Sequence, residues 1–182
     1  MIDLDDTAWS AMHHAYGTAE RIPAILASMH EGAAVDDPDF LGLFNCLIHQ
    51  GSLYDASFAA FPHLVSTGVT DSPHSKVAFS IATVMLEALA EGVDMAPAMT
   101  PQIRLGFEAG LRMGRAHLAS ELGKPNRDAN DELNLLCNIA LFDLQPQVYL
   151  VLAALKHGFQ CKKCGMRFDE PLNQLCPIPL DQ

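Results

Sequence analysis

Residues 72–92 read SPHSKVAFSIATVMLEALAEG, a stretch with the start, spacing and stop signals of an amphipathic helix. Ser72-Pro73 is typical of a helix start, because the serine hydroxyl accepts a free backbone N–H and proline has no N–H to leave unsatisfied. Gly92 favours the left-handed turn that closes a helix. Between these signals, apolar residues recur at helical spacing, which predicts a helix over 73–91 with one buried face. The apolar positions are Val77, Ile81, Val84, Met85, Ala88 and Leu89.

The same signals recur on both sides of this helix. Asp37-Pro38 and Thr100-Pro101 predict two further helix starts, and glycines fall where apolar stripes end. These glycines are Gly17, Gly32, Gly51, Gly92, Gly123 and Gly158. The sequence therefore predicts eight helices, at 7–15, 19–31, 38–50, 54–67, 73–91, 101–122, 129–144 and 146–157.

The length and the connections of these helices favour one compact arrangement. Eight helices with short connections can pair as antiparallel hairpins of about 35 to 40 residues, close to the period of helical-repeat proteins. We therefore expect an all-α fold of stacked antiparallel helix pairs, a short α-solenoid. Within it, the row Gly106, Gly110 and Gly114 should let two helices pack closely, and Pro62 should kink or split the fourth helix.

Residues 9–65 resemble a known family. Trp9 is followed by His14-Ala15-Tyr16-Gly17, then by His49-Gln50-Gly51 with Tyr54, and then by Ala60-Phe61-Pro62-His63-Leu64. This order resembles the bacterial HEAT-like repeat proteins that carry H-A-Y-G and H-Q-G-x-x-Y segments ahead of an A-x-P-x-L helix. The resemblance implies a HEAT-like solenoid scaffold with a binding or immunity-type role, and it supplies no catalytic residues.

The resemblance marks five residues as one structural or binding cluster: His14, Tyr16, His49, Gln50 and Tyr54. Two interpretations of them remain open. Histidines in the last turn of a helix can donate to its free carbonyl groups, and tyrosines can pack with the hydroxyl tied to a loop. Alternatively, the predicted helix ends converge on a pocket or surface that binds a ligand or partner.

The C-terminal segment has a different chemistry, so we divide the chain into a helical domain, 1–157, and an appendage, 158–182. Cys161 and Cys164 form a C-x-x-C-G knuckle, whose two sulfurs can bind one tetrahedral Zn²⁺ from a single tight turn. Cys176 and His157 are the candidates for the remaining ligands. Reduced thiols without metal are an alternative, and so is a redox dithiol, although the latter usually needs a βαβ context.

The charge of the chain bears on its partners. The net charge is −11, and residues 1–155 hold 7 basic against 19 acidic side chains. Such a body repels nucleic acid and anionic membranes, so we expect a basic protein as partner.

The most apolar stretch, 133–155, is interrupted by Asp143 and Pro146, so no membrane span is predicted. The acidic N-terminus is unlike a signal peptide, which predicts a cytoplasmic protein.

The function follows from these observations by elimination. The sequence has no G-x-S-x-G elbow, no phosphate-binding glycine loop and no H-E-x-x-H motif. We therefore expect a non-catalytic interaction scaffold. The HEAT-like resemblance implies, as its most concrete version, an immunity or antitoxin-like protein. The alternative is a metal-dependent enzyme or small-ligand binder that uses the His/Tyr cluster at helix ends. Exposed apolar edges of a short helical stack would also favour a homodimer.

Overall fold

In a computed structural model, the residues described are 1–33, 37–93, 99–122, 124–125, 127–157, 159–160 and 167–168. These residues are mostly helical, which confirms the all-α prediction. The α-helices are α1 (Ile22–Glu31), α2 (Asp37–Leu47), α3 (Asp55–Gly68), α4 (Ser75–Ala90), α5 (Pro101–Glu121), α6 (Ala129–Phe142) and α7 (Pro146–His157). Within the described ranges, none of them has the length and apolar character needed to cross a membrane.

Six strands of two residues each form three antiparallel hairpins. The strands are β1 (His13–His14), β2 (Gly17–Thr18), β3 (Ile48–His49), β4 (Ser52–Leu53), β5 (Phe159–Gln160) and β6 (Arg167–Phe168). Strand β1 pairs with β2, β3 with β4, and β5 with β6. The first two hairpins lie between helices in the chain, and the third follows α7.

Helix α3 lies at the centre of the molecule. It contacts α1, α4 and α5 as well as β1. Almost every position from Ala56 to Thr67 is buried, so this helix has no face of its own in water. Three of its buried residues are alanines (Ala56, Ala59 and Ala60), and short side chains of this kind let neighbouring helices approach closely.

The closest approach to α3 comes from α5. A Cβ built on Gly110 would lie 2.9 Å from the Phe61 ring and 3.1 Å from the Cα of Pro62. A Cβ on Gly114 would lie 2.1 Å from the ring of Phe142 in α6. The prediction that the glycine row permits close helix packing inside the molecule is therefore confirmed for Gly110 and Gly114, whereas Gly106 lies closest to the Met1 backbone. Pro62 is fully buried in this contact, and α3 runs through it without splitting.

The predicted helix over 7–15 is wrong in its length and type. Residues Thr7–Ala11 form a 3-10 helix, capped by Asp6, whose carboxylate accepts from the N–H of Ala8 at 2.8 Å. The chain turns extended at Met12 and enters β1. The segment is anchored through Trp9, which is buried and donates from Nε1 to the Asp3 carbonyl at 2.9 Å.

Some of the predicted helix starts and stops agree with the structure, and one start does not. Thr100 caps α5 by accepting from the N–H of Ile103, and Gly32 ends α1 in a left-handed turn, as predicted. Helix α4, however, starts at Ser75 and not at 73. The hydroxyl of Ser72 accepts from the backbone N–H of His74 at 3.2 Å, as a local cap does. It also donates to the Met29 carbonyl at 2.9 Å, a contact across 43 residues that no local pattern indicates.

Helix α7 is attached to the bundle through α6 and α4. The hydroxyl of Tyr149 donates to Glu87 in α4 at 3.1 Å. Burial, together with the neighbouring Glu87 carboxylate, raises the pKa of Tyr149 to about 12. The phenol therefore remains protonated at neutral pH and keeps donating this hydrogen bond.

Replacement of Gly114 by Ala tests the packing of α5. The new methyl group would overlap the Phe142 ring. This ring has little room to move, because it stacks on the Phe79 ring with the two centroids 5.3 Å apart. We expect Gly114→Ala to lower the free energy of unfolding by about 1–3 kcal/mol, measured by urea denaturation. The control is Gly42→Ala in α2, where no described atom lies within 4 Å. It should be neutral or stabilise by up to about 1 kcal/mol, and an equal loss in both variants would contradict this packing.

A pH dependence of stability should come from His63 in α3. Its Nε2 lies 2.8 Å from the Ile2 carbonyl and so ties the N-terminal segment to α3. Burial lowers the pKa of His63 below the ordinary 6.5, and this effect exceeds the opposing effect of that hydrogen bond. The folded state therefore binds fewer protons than the unfolded chain between the lowered pKa and 6.5.

The free energy of unfolding should consequently fall as the pH drops through that window. We expect His63→Gln to flatten the decline in urea-unfolding curves recorded between about pH 7.5 and pH 5. The exposed His13, replaced by Gln, is the matched control and should leave the decline as it is. An identical pH profile for wild type and His63→Gln would show that His63 does not cause the dependence.

Candidate functional site

Two of the three hairpins carry four of the predicted cluster residues, His14, Tyr16, His49 and Gln50. In the first, His13 pairs with Thr18 and His14 with Gly17, which leaves Ala15 and Tyr16 as the turn. In the second, Ile48 pairs with Leu53 and His49 with Ser52, which leaves Gln50 and Gly51. The prediction that His14, Tyr16, His49 and Gln50 lie at helix ends is therefore wrong, because short strands follow the helical segments there.

The second turn explains why α2 ends before Gly51. Gln50 and Gly51 both have positive φ, 51° and 74°. Two positive φ values at the centre of a two-residue loop are the mark of a type I′ turn, whose twist matches that of paired strands. Gly51 therefore serves a hairpin and not the predicted helix stop, and Gln50 takes up a conformation that non-glycine residues adopt rarely.

Buried and half-buried groups of α3 hold both hairpins. The buried hydroxyl of Ser57 donates to the Leu47 carbonyl at 2.6 Å and accepts from the Tyr54 N–H at 2.8 Å. Leu47 is the last residue of α2 and Tyr54 precedes α3, so this one hydroxyl joins the two ends of the β3–β4 hairpin. Asp55 anchors the first hairpin at one end, because its carboxylate accepts from the His13 N–H at 2.7 Å.

The turn of the first hairpin also contacts α2 and β3. The N–H of Ala15 donates to the Cys46 carbonyl in the last turn of α2 at 3.1 Å. The Tyr16 hydroxyl lies 2.9 Å from Nδ1 of His49, and the two rings meet edge to face with centroids 5.1 Å apart. Tyr16 thus links the turn of the first hairpin to β3 of the second.

His14 contacts Tyr16 as well. Its Nδ1 accepts from the backbone N–H of Tyr16 at 3.1 Å, and the ring centroids are 6.4 Å apart. In the neutral imidazole the proton of His14 is therefore on Nε2. We call His14, Tyr16 and His49 the His–Tyr face. Although its hydroxyl and its backbone N–H are both hydrogen-bonded, Tyr16 remains 62% exposed.

The structure brings three of the five predicted cluster residues together. Within the described residues, no hydrogen bond or ring contact joins Gln50 or Tyr54 to the His–Tyr face. Gln50 is exposed in its turn, and Tyr54 is half-buried at the start of α3. The sequence interpretation missed Asp55 and Ser57, whose position just after Tyr54 would be the only local hint, as polar residues in the first turn of a helix.

The predicted metal ligands lie largely outside the described residues. This holds for Cys161, Cys164 and Cys176, whereas His157 is the last residue of α7. Among the described residues, no group of three or more His, Cys, Asp or Glu side chains could hold a metal ion. Cys137 is buried and Cys46 half-buried, and burial raises the pKa of the Cys46 thiol.

The His–Tyr face places an exposed phenol beside two imidazoles. It therefore offers an apolar ring together with hydrogen-bond donors and acceptors.

Comparison with protein-family models, curated proteins and solved structures found no match to this chain. The resemblance of residues 9–65 to HEAT-like repeat proteins therefore stays a prediction.

Replacement of Ser57 by Ala tests how the hairpins are positioned. The change would leave the Leu47 carbonyl and the Tyr54 N–H without this partner, which should cost about 1–3 kcal/mol of unfolding free energy. The control is Ser66→Ala on the same helix, since no hydrogen bond of the Ser66 hydroxyl is found within the described residues. Equal stability of both variants in urea denaturation would show that the Ser57 hydroxyl does not hold the hairpin.

Proposed function

We propose that this chain is a non-catalytic interaction domain that binds a partner protein through the His–Tyr face. The observation that carries the proposal is the exposed Tyr16 ring, which is fixed at its hydroxyl and at its backbone N–H. Binding hot spots are rich in tyrosine, because the ring supplies apolar area and its hydroxyl supplies a directional hydrogen bond.

The fixed position of Tyr16 favours binding energetically. Ordering an exposed side chain on binding costs about 0.5–1.5 kcal/mol, and a ring already held by His49 and His14 avoids much of this cost. Covering the ring would contribute on the order of 1–3 kcal/mol. Turns carried by a rigid helical scaffold are a common place for such recognition residues.

The charge of the chain supports a basic partner. A net charge of −11 would speed the approach of a positively charged protein and disfavour nucleic acid. Together with the HEAT-like resemblance, this supports an immunity or antitoxin-like role on a scaffold of stacked helix pairs as the most concrete form of the proposal.

Tyr16→Ala should weaken the complex by at least about tenfold, because the side chain that anchors the face is removed. The measurement is calorimetric titration of the chain with a partner captured from the native cell, identified and purified. Leu105→Ala on α5 is the matched control, since Leu105 is 65% exposed and lies on another element.

Two results would contradict this proposal. One is unchanged partner affinity in a Tyr16→Ala variant whose circular dichroism matches the wild type. The other is a small molecule or metal ion that copurifies with the wild type and is lost from Tyr16→Ala, which would favour the ligand-binding or enzymatic alternative.

We propose further that the C-terminal appendage binds a structural Zn²⁺ through Cys161, Cys164, Cys176 and His157. Support comes from the third hairpin, in which Gln160 pairs with Arg167 and Phe159 with Phe168. The segment with the C-x-x-C motif, residues 161–166, therefore joins two paired strands. In zinc knuckles a single tight turn supplies both thiolates.

Metal analysis of the purified chain should find about one equivalent of zinc. The double variant Cys161→Ser/Cys164→Ser should lose it, because serine does not replace a thiolate ligand. Cys46→Ser is the control and should keep its zinc, since Cys46 lies in α2 beneath the first hairpin. Less than about half an equivalent in the wild type would contradict a closed structural site.

A further inference from the structure

An open groove lies on another part of the N-terminal region. The segment from Leu4 to Ser10 and the outer side of α1 enclose an open groove of about 530 Å³. We call it the N-terminal groove. Its volume is in the range of clefts that bind ligands in proteins, about 300–1,000 Å³. None of the residues of the His–Tyr face lines it.

The floor of the groove is apolar, and its helical side is built from small residues, which leave the space above α1 open. Pro23, Ala24 and Ala27 of α1 line it and lie at i, i+1 and i+4, so they share one side of the helix. Leu4 and the buried Trp9 line the opposite side. The Trp9 ring is fixed by its hydrogen bond to the Asp3 carbonyl, so this wall is held in place without a ligand.

The rim of the groove is acidic. Asp5, Asp6 and Glu20 line it, and no lysine or arginine is among the described residues of the lining. The Asp6 carboxylate caps the 3-10 helix, whereas Asp5 and Glu20 are exposed. Within the described ranges, neither Asp5 nor Glu20 takes part in an ion pair or a side-chain hydrogen bond.

An apolar floor beneath unpaired carboxylates is complementary to one kind of side chain. Arginine and lysine lay their aliphatic stems on apolar surface while their charged ends reach towards carboxylates. Nucleic acid and anionic lipid would be repelled by the same rim.

We infer that the N-terminal groove binds an extended segment of a partner protein in which arginine or lysine alternates with apolar residues. The inference rests on the proposed function in so far as the same partner supplies this segment. It adds a second contact, distinct from the His–Tyr face, and names the chemistry that this contact recognises.

The test uses the full chain and a fluorescent nine-residue peptide of alternating Arg and Leu, with a second peptide carrying Gln for Arg. We expect the Arg peptide to bind and to shift the amide resonances of Leu4, Ala24 and Ala27 in ¹H–¹⁵N spectra. Asp5→Asn/Glu20→Gln should weaken binding by about fivefold, as expected for two exposed charges. Ala24→Leu should abolish binding by filling the groove, and Tyr16→Ala should leave peptide affinity unchanged.

Three results would overturn the inference: equal affinity for the two peptides, resonance shifts spread over the whole acidic surface, or full peptide affinity in Ala24→Leu. Because Ala24 is exposed, a leucine there is compatible with folding, and this is checked by circular dichroism. The two proposals fail separately. If only the groove proposal is wrong, partner binding remains sensitive to Tyr16→Ala. If only the His–Tyr proposal is wrong, the Arg peptide still binds the groove.

Discussion

The burial of α3 on all its sides is the constraint on which the rest of the structure depends. A helix with no exposed face must receive neighbours at every turn, and several of them meet it at close range. Helix α5 approaches through Gly110. Helix α4 packs Phe79 against Gly68 so closely that a Cβ built on Gly68 would lie 2.8 Å from the Phe79 side chain. The N-terminal segment is tied to the same helix by the hydrogen bond between His63 and Ile2.

The same helix positions the candidate site. Its first turn carries Asp55, which binds the backbone of the first hairpin, and Ser57, which joins the ends of the second. Because both anchors are on one rigid element, the two hairpins have a fixed relation, and Tyr16 can reach His49 from the other hairpin. The exposed Tyr16 ring is thus positioned by hairpins that are anchored on a buried helix.

The helices were largely predictable from the sequence, whereas the site geometry was not. Apolar periodicity and caps predicted α5, α6 and α7 to within a few residues, since a helix of three or more turns repeats its signal. Strands of two residues have no such repeat, and Gly51 after an apolar stripe indicates a helix stop or a hairpin equally well. The bonds from Asp55 to His13 and from Ser57 to Leu47 join distant residues, so no local pattern could show them.

From these anchors on α3 we expect the His–Tyr face to be a rigid surface in the free chain. Native-state hydrogen exchange of the His13 and Ala15 amides tests it directly, because these groups bond to Asp55 and to the Cys46 carbonyl. Both amides of the free chain should exchange much more slowly than in an unstructured peptide. Exchange of both at unprotected rates, while amides of α3 remain protected, would contradict it.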